Sequence, residues 1–127
     1  FTSELSDLEV SIDRTQMVRI ITNLIKNSVQ ACDSLEHPQI KVNIIKRNRN
    51  VLIDISDNGS GIHKDIRSKI FEPNFTTKTS GMGLGLGMVK NLVSSYGGTI
   101  SFESKINIGT SFLISFPISS ENFSKQN

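Results

Sequence analysis

The first third of the chain has apolar residues at helical spacing. Over residues 17–35 they recur every three or four positions, which predicts one long amphipathic helix. Asp13 is placed as its N-cap, and Gln16, three residues later, completes a capping-box pattern. The His-Pro pair at 37–38 ends the helix, because the residue before a proline disfavours helical backbone angles. Ahead of the helix, the alternation at 8–12 predicts a short strand.

Two pairs of apolar runs in the rest of the chain predict β-hairpins. Residues 40–44 and 51–56 are rich in isoleucine and valine and are separated by a short polar turn. Residues 99–104 and 110–116 repeat this arrangement near the C-terminus. Because only a few residues join the runs of each pair, we expect each pair to be antiparallel.

The segment between the hairpins contains two further helical patterns. Residues 64–71 predict a short helical piece, and residues 84–96 predict a helix that stops at the glycine pair 97–98. The stretch at 73–82 is rich in Thr, Ser, Lys and Gly and is predicted to be irregular, and the tail from residue 119 is polar. Helices and strand pairs without regular alternation indicate an α/β (α+β) two-layer sandwich. We expect a mixed, largely antiparallel sheet with helices on one face.

Length and composition describe an ordinary globular domain. Hydrophobic residues make up 36% of the 127 residues and charged residues 20%. We expect one domain over 1–127 with an ordered core at about 8–118. The net charge of +2 is too small to indicate nucleic acid as a partner.

Targeting features favour a cytoplasmic location. No run approaches the ~20 apolar residues that span a bilayer, and the N-terminus lacks a basic region followed by an apolar stretch. The first residue is Phe1 instead of methionine, so we expect a piece of a longer chain. The single cysteine, Cys32, excludes a disulfide within the chain and is expected in the core.

The predicted long helix carries an unusual polar stripe. At about 100° per residue, Gln16, Asn23, Asn27 and Gln30 gather on one arc, away from the apolar positions. Solvated helix faces normally use Glu, Lys and Arg, which favour helices more than Asn does. The stripe is therefore either an ordinary polar surface or a wall that faces a ligand. In the second case a neutral amide oxygen suits a metal ion whose charge is balanced by substrate phosphates.

A glycine-containing turn follows the second strand of the first hairpin. Its sequence is Asp57-Asn58-Gly59-Ser60-Gly61, which is typical of a plain turn. It also suits base recognition, because a carboxylate at the end of an apolar strand can accept a hydrogen bond from a base amine. The two glycines would let the backbone approach the ring. For this turn alone, the plain-turn interpretation is favoured.

Alternating glycines lead into the last predicted helix. They are Gly81, Gly83, Gly85 and Gly87. A flexible strip before a helix N-terminus exposes backbone N–H groups that suit phosphate. The strip is not a Walker A loop, and it follows an irregular stretch instead of the strand of a dinucleotide fingerprint. Close helix packing or a mobile loop also explains this pattern on its own.

Taken in order, these segments resemble the sequence boxes of the sensor histidine kinase catalytic and ATP-binding domain, in the superfamily shared with gyrase, Hsp90 and MutL. The resemblance covers about 12–117 and rests on five boxes in the expected order. The boxes are Asn23–Ser28 (N box), Asp57–Ile62 (first glycine box), Ile70–Lys78 (F box), Gly81–Gly87 (second glycine box) and Gly109–Phe112. The resemblance implies a Bergerat-type ATP-binding fold with ATP and Mg²⁺ as cofactors.

The resemblance also implies a role for individual residues. Asp57 would accept from the adenine amine, Thr110 would support that contact, and Asn27 would supply the oxygen that binds Mg²⁺. Asn23 and Lys78 would lie next to the phosphates as the catalytic residues. The other implied nucleotide-binding residues are Gly59, Gly61, Ile62, Phe71, Gly81, Gly83, Leu84, Gly85 and Gly87.

Asn23 separates this chain from the ATP-hydrolysing members of the superfamily. They carry at that position a glutamate that activates water, whereas an amide cannot act as a general base at neutral pH. The resemblance therefore implies a site that protects ATP from water and passes its γ-phosphoryl group to another nucleophile. Positioning and charge neutralisation would supply the catalysis, under a lid formed by residues 72–83. Some members of the family have a lysine or arginine three residues after the metal-binding Asn, where this chain has Gln30.

The phosphoacceptor is expected on another domain. His37 precedes a proline and His63 follows the glycine turn, so both are expected on the surface. We expect the fragment to be monomeric and unable to phosphorylate itself. Its expected partners are its own dimerisation and phosphoacceptor domain and, through the full-length kinase, a response regulator.

Three functions are compatible with the sequence. The first is a protein-histidine kinase domain that phosphorylates a histidine on an adjacent dimerisation domain in two-component signal transduction. The second is an anti-sigma-factor-type serine kinase of similar length, although the Gly-Leu-Gly-Leu run favours the histidine kinases. The third is a non-enzymatic nucleotide-binding or docking module, against which the intact Asp57 and Asn27 argue.

Overall fold

The computed structural model describes residues 12–73 and 86–118 of the chain. Within these ranges the backbone forms two layers, a pair of α-helices and a four-stranded sheet. The elements in chain order are α1 (Arg14–Ala31), β1 (Ile40–Arg47), β2 (Asn50–Asp57), a 3₁₀ turn (Lys64–Ile66), α2 (Leu86–Ser95), β3 (Thr99–Lys105) and β4 (Gly109–Pro117). The predicted strand at 8–12 and the predicted irregular stretch at 73–82 lie outside the described residues, except for Ile12 and Pro73.

The sheet joins the two predicted hairpins through β2 and β4. Its strand order is β1-β2-β4-β3, and every neighbouring pair is antiparallel. Both hairpins are therefore confirmed. Their turns contain Asn48 and Asn107, with φ of 57° and 60°, a left-handed conformation that Asn tolerates better than most residues. The predicted two-layer α+β architecture is confirmed, and all pairings among the described strands are antiparallel.

Alternation along the two central strands creates one apolar face. Antiparallel register places Ile55 beside Phe112 and Ile53 beside Ile114, so the buried residues of the two strands form continuous rows. The residues buried on this face of β2 and β4 are Val51, Ile53, Ile55, Phe112, Ile114 and Phe116.

Both described helices pack on this face. α1 contributes Ile20 and Leu24, and α2 contributes Val89 and Val93, all of them fully buried within the same hydrophobic core. Each such side chain stabilises the fold by ~1.5–3 kcal/mol relative to an exposed position. The expectation that helices cover one face of the sheet is confirmed.

The N-terminus of α1 is capped as predicted, but by one bond. The Oδ1 atom of Asp13 accepts from the backbone N–H of Thr15 at 2.9 Å. The capping-box prediction for Gln16 is wrong, because its Oε1 atom is buried without a partner. The N-cap therefore depends on Asp13 alone.

The prediction that α1 extends to Leu35 is wrong, because the helix ends at Ala31. The carbonyl group of Ala31 accepts a hydrogen bond from the backbone N–H of Ser60 at 3.0 Å. Asn58 then holds the loop beyond the helix by donating from Nδ2 to the carbonyl oxygen of His37 at 3.1 Å. Contacts with the glycine turn, distant in sequence, thus end the helix before its apolar pattern ends.

The remaining helical predictions are confirmed in part. α2 ends at Ser95, and Gly97 follows with φ of +77°, the left-handed conformation that stops a helix. The helical piece predicted at 64–71 is a 3₁₀ turn over Lys64–Ile66 that continues as irregular turns.

We predict that Phe112→Ala lowers the free energy of unfolding by about 3–5 kcal/mol, because it leaves a cavity in a buried row of the sheet. Leu113→Ala is the matched control, since Leu113 is the next residue of the same strand and is 37% exposed on the opposite face. Its expected cost is about 0.5 kcal/mol. Urea unfolding measures both, and equal losses would contradict the assigned face of β4.

Candidate functional site

The helix-covered face of the sheet ends in polar side chains. Asp57 on β2 lies beside Thr110 on β4, and Thr110 lies beside Ser104 on β3. These three residues follow Ile55 and Phe112 in the alternation, so they share the face on which the helices pack. One row of the sheet therefore presents a carboxylate and two hydroxyls at the edge of the core.

Ser104 connects this row to the loop that follows β2. Its Oγ atom accepts from the backbone N–H of Ile62 at 2.7 Å. The same atom lies 2.8 Å from Oγ1 of Thr110, and it donates to the carbonyl oxygen of Gly109 at 3.3 Å. Thr110 is buried, with 7% of its surface exposed, so this short network fixes its hydroxyl in place.

Arg67 joins the same two segments a second time. Its Nε atom donates to the carbonyl oxygen of Ile62 at 3.0 Å, and its Nη2 atom donates to that of Ser104 at 2.7 Å. Sequence reasoning identified neither Arg67 nor Ser104. The sequence could have indicated Ser104, because it is the polar residue that follows Ile100 and Phe102 in the inward-facing alternation of β3. No sequence pattern indicates Arg67, because its hydrogen-bond partners are brought to it only by the tertiary fold.

The glycine turn is packed tightly between α1 and the end of β3. Asp57 accepts from the backbone N–H of Gly59 through Oδ1 at 2.8 Å. A Cβ atom on Gly59 would lie 2.6 Å from the carbonyl oxygen of Ala31, and one on Gly61, where φ is +81°, would collide with the carbonyl of Lys105. Both glycines are thus required by packing. Their predicted role of admitting a base stays a prediction.

Cys32 lies next to this turn and has the features of an unreactive thiol. It is buried, and its Sγ atom donates to Oδ1 of Asn58 at 3.6 Å. Burial raises the pKa of the thiol, and the nearby Asp57 carboxylate raises it further. A thiol kept protonated is a poor nucleophile, so the expected core role of Cys32 is confirmed.

Asn27 is the least satisfied side chain of α1. Only 2% of its surface is exposed, and neither Nδ2 nor Oδ1 has a hydrogen-bond partner among the described residues. The hydroxyl of the adjacent Ser28 is buried and unpartnered in the same way. Leaving such groups unpaired costs about 1–3 kcal/mol each. A buried amide of this kind is a candidate contact for a ligand atom.

Two other members of the polar stripe behave differently, while Gln16 resembles Asn27 in that its Oε1 atom is buried without a partner among the described residues. Asn23 is half-buried, and its Nδ2 atom donates to the carbonyl oxygen of Arg19 in its own helix at 2.9 Å. Gln30 is exposed to solvent. The surface interpretation therefore holds for Gln30, while only Asn27 has an amide left entirely unpaired.

Ile62, Phe71 and Gly87 take packing positions. The side chain of Ile62 is 1% exposed and belongs to the core. The ring of Phe71 contacts Phe102 edge-on, with centroids 5.9 Å apart, and the Lys90 ammonium lies 5.4 Å from its centroid. A Cβ atom on Gly87, in the first turn of α2, would lie 3.1 Å from the carbonyl oxygen of Phe71. Gly87 thus lets the backbone at Phe71 approach α2 closely.

Several predicted site residues cannot be placed. Five lie outside the described residues: Lys78, Gly81, Gly83, Leu84 and Gly85.

Both histidines lie on exposed loops, and His63 caps the 3₁₀ turn by accepting from the backbone N–H of Asp65 at 3.3 Å.

The arrangement matches a known family over most of its length. Residues 12–120 match the family described as "Histidine kinase-, DNA gyrase B-, and HSP90-like ATPase". The chain belongs to this family. The resemblance to sensor histidine kinase catalytic domains is confirmed, and with it the expectation of an ATP-binding domain.

Named relatives of this ATPase domain are sensor kinases. The sensor histidine kinase ZraS of Escherichia coli (strain K12) is 36% identical over 118 residues, which cover 93% of this chain and 25% of ZraS. The C4-dicarboxylate transport sensor protein DctB of Rhizobium meliloti (strain 1021) is 36% identical over 102 residues, which cover 80% of this chain and 16% of DctB. The chain thus spans a quarter or less of the length of these relatives.

A solved structure shares the fold of this ATPase domain. The catalytic domain of the histidine kinase ThkA, in a nucleotide-free form, superposes with a TM-score of 0.75 at 32% identity, covering 89% of this chain and 73% of the ThkA chain.

Two features are absent from the described part of this ATPase domain. Across residues 12–73 and 86–118, no helix is long and apolar enough to cross a membrane. In the same ranges, no three His, Cys, Asp or Glu side chains cluster as a metal site.

We predict that Asn27→Leu leaves the free energy of unfolding of the nucleotide-free ATPase domain unchanged or raises it by about 1–2 kcal/mol. The substitution removes buried polar atoms that have no partner and replaces them with an apolar group of similar size. Urea unfolding without nucleotide measures the effect. Leu24→Asn, one turn earlier at a fully buried position, is the control and should destabilise by about 2 kcal/mol or more. Equal destabilisation by both variants would mean that Asn27 has a structural role.

Proposed function

We propose that this chain binds Mg-ATP and transfers the γ-phosphoryl group to a histidine on an adjacent dimerisation domain in two-component signal transduction. The observation that carries the proposal is the buried, unpaired amide of Asn27 on a helix whose last carbonyl binds the glycine turn next to Asp57. The chain would act as a single catalytic domain over 1–127, and kinship with sensor histidine kinases supports this assignment.

Asp57 is the proposed base-recognition residue. One carboxylate oxygen is engaged with the backbone N–H of Gly59, which sets the orientation of the side chain. We assign the second oxygen to the exocyclic amine of adenine. Thr110, directly opposite on β4, lies where it can support that contact. Gly61 and Ile62 would complete the base pocket as part of the turn that these contacts hold.

Asn27 is the proposed metal ligand. Its amide oxygen is neutral, buried and without a partner in residues 12–73 and 86–118, which fits a hard cation whose charge is mostly balanced by substrate phosphates. Bound Mg²⁺ would neutralise charge on the phosphates during transfer. The chain's own contribution is to hold an oxygen at a fixed point on a rigid helix, so no reorganisation is needed when the ligand arrives.

Asn23 and the lid explain why transfer would be favoured over hydrolysis. Asn23 offers no general base, and its Nδ2 atom is engaged within α1. We propose that residues 72–83 close over the triphosphate and exclude water, with Lys78 contacting a phosphate. The glycine strip that includes Gly81, Gly83, Leu84, Gly85 and Gly87 would supply the backbone N–H groups that bind phosphate.

The partners and the location follow from the same proposal. The phosphoacceptor histidine would lie on the dimerisation domain of the kinase, and the phosphoryl group would pass to a response regulator. We assign the domain to the cytoplasm and propose that it forms part of a membrane-bound sensor. Neither the fold nor the sequence relatives favour the serine-kinase or docking-module alternatives.

We predict that mixing the chain with γ-labelled ATP, Mg²⁺ and a dimerisation domain that carries the phosphoacceptor histidine gives acid-labile phosphohistidine. Asp57→Ala should reduce the initial rate at limiting ATP by about tenfold, because a buried hydrogen bond to the base is lost. Asp54→Ala is the matched control, since Asp54 lies on the same strand but on the opposite face.

Three results would overturn this assignment. Acid-stable phosphoserine would favour the anti-sigma-factor type of kinase. Nucleotide binding without any transfer to the histidine domain would favour the docking module. An equal effect of Asp54→Ala and Asp57→Ala would remove Asp57 from the site.

A further inference from the structure

The solvent-facing side of α1 carries one row of β-branched side chains. The row, here called the α1 ridge, consists of Thr15, Val18, Thr22, Ile25 and Val29. Val18 and Val29 are 57% and 54% exposed, both threonines are exposed, and Ile25 is half-buried. The spacing along the row alternates between three and four residues, which is the a and d pattern of a helix that packs against a second helix.

The α1 ridge is a poor choice for a helix surface left in water. β-branched side chains lose rotamer freedom in a helix, and Val and Thr form helices less well than Ala, Glu or Lys. The ridge does not serve the core either, because the core side of α1 is formed by other residues, among them the fully buried Ile20 and Leu24. Single exposed apolar residues are ordinary, but these side chains share one continuous row. Packing against another helix would use both their shape and their spacing.

The charges of α1 lie on the flanks of the ridge. Three residues of the helix are cationic and exposed, namely Arg14, Arg19 and Lys26, and none is acidic. When the ridge is assigned to positions a and d of a heptad, Arg19 and Lys26 fall at position e and Arg14 at position g. Charges at these two positions select the partner of a paired helix. In residues 12–73 and 86–118, no carboxylate forms an ion pair with them.

We propose that the α1 ridge docks an amphipathic helix whose apolar row is flanked by carboxylates. Acidic side chains at the flanks of the partner would pair with cations that have no acidic neighbour on their own helix. A second copy of this chain is disfavoured as the occupant, because two α1 ridges would bring like charges together.

The docking surface is separate from the site assigned to nucleotide. At about 100° per residue, Asn27 lies half a turn away from Val18 around the axis of α1. A helix docked on the ridge therefore leaves the Asn27 side of α1 uncovered. The inference goes beyond the proposed function and does not depend on it, since it needs only the exposed side of α1.

The test uses a synthetic helical peptide of about three heptads, with Ile at position a, Leu at d and Glu at both e and g. Repulsion between the glutamates keeps this peptide from pairing with itself. The matched control peptide has Lys at e and g instead. Calorimetric titration into the folded domain should show that the Glu peptide binds at least about tenfold more tightly than the Lys peptide. The difference should shrink as salt is added, because exposed charges are screened.

Variants of the ridge and its flanks locate the binding surface. Val18→Ala combined with Val29→Ala should weaken binding of the Glu peptide by about tenfold without lowering the Tm of the domain, since Ala favours a helix more than Val does. Arg19→Glu combined with Lys26→Glu should reverse the preference and favour the Lys peptide. Ile108→Ala is the matched control, because Ile108 is an apolar residue of the β3–β4 turn that is 66% exposed, and it should leave binding unchanged.

Three outcomes would overturn the proposal. The first is a folded wild type that binds neither peptide or binds both equally. The second is a Val18→Ala/Val29→Ala variant that binds the Glu peptide as tightly as wild type does, since the peptide would then sit elsewhere. The third is a wild-type dimer in sedimentation that the same two substitutions break, because the occupant of the ridge would then be a second copy of the chain.

Discussion

The antiparallel pairing of β2 with β4 is the contact on which the rest of the structure depends. It joins two hairpins that are distant in sequence, and its register places Ile55 beside Phe112 and Asp57 beside Thr110. A shift by one residue would turn every one of these side chains to the other face of the sheet. The same pairing therefore builds the core and, one row further, the polar edge that we assign to the base. The core and the proposed site thus depend on the same register between β2 and β4.

The residues that we assign to the site lower the stability of the nucleotide-free domain. Asn27 and Ser28 have buried polar atoms without partners among the described residues, and each such group opposes folding by about 1–3 kcal/mol. A domain whose whole stability is of the order of 5–15 kcal/mol tolerates few such groups. The polar network at the ends of β3 and β4 differs, since Ser104 forms hydrogen bonds with both Thr110 and the backbone N–H of Ile62. The described residues thus include both a satisfied polar network and a buried amide that we assign to a ligand.

Local patterns predicted most of the fold, and tertiary contacts account for the misses. The start of α1 at Asp13, both hairpins and the stop at Gly97 follow from spacing and capping rules that act within a few residues. The end of α1 does not, because the bond from Ser60 to Ala31 comes from a segment far along the chain. Burial also depends on tertiary packing. The polar stripe therefore identified Asn27 as a candidate but could not show that Asn27 is buried and Gln30 exposed. Arg67 could not have been found, since both its partners are backbone carbonyls brought together by folding.

The most direct test of the proposed metal site is calorimetric titration of ADP into the domain with and without Mg²⁺, for wild type and for Asn27→Leu. If the amide oxygen of Asn27 is the metal ligand, Mg²⁺ tightens ADP binding by wild type and has no effect on binding by Asn27→Leu. Wild type that is folded but binds ADP equally with and without Mg²⁺, or an Asn27→Leu variant that keeps the full effect of Mg²⁺, would contradict the proposed metal site.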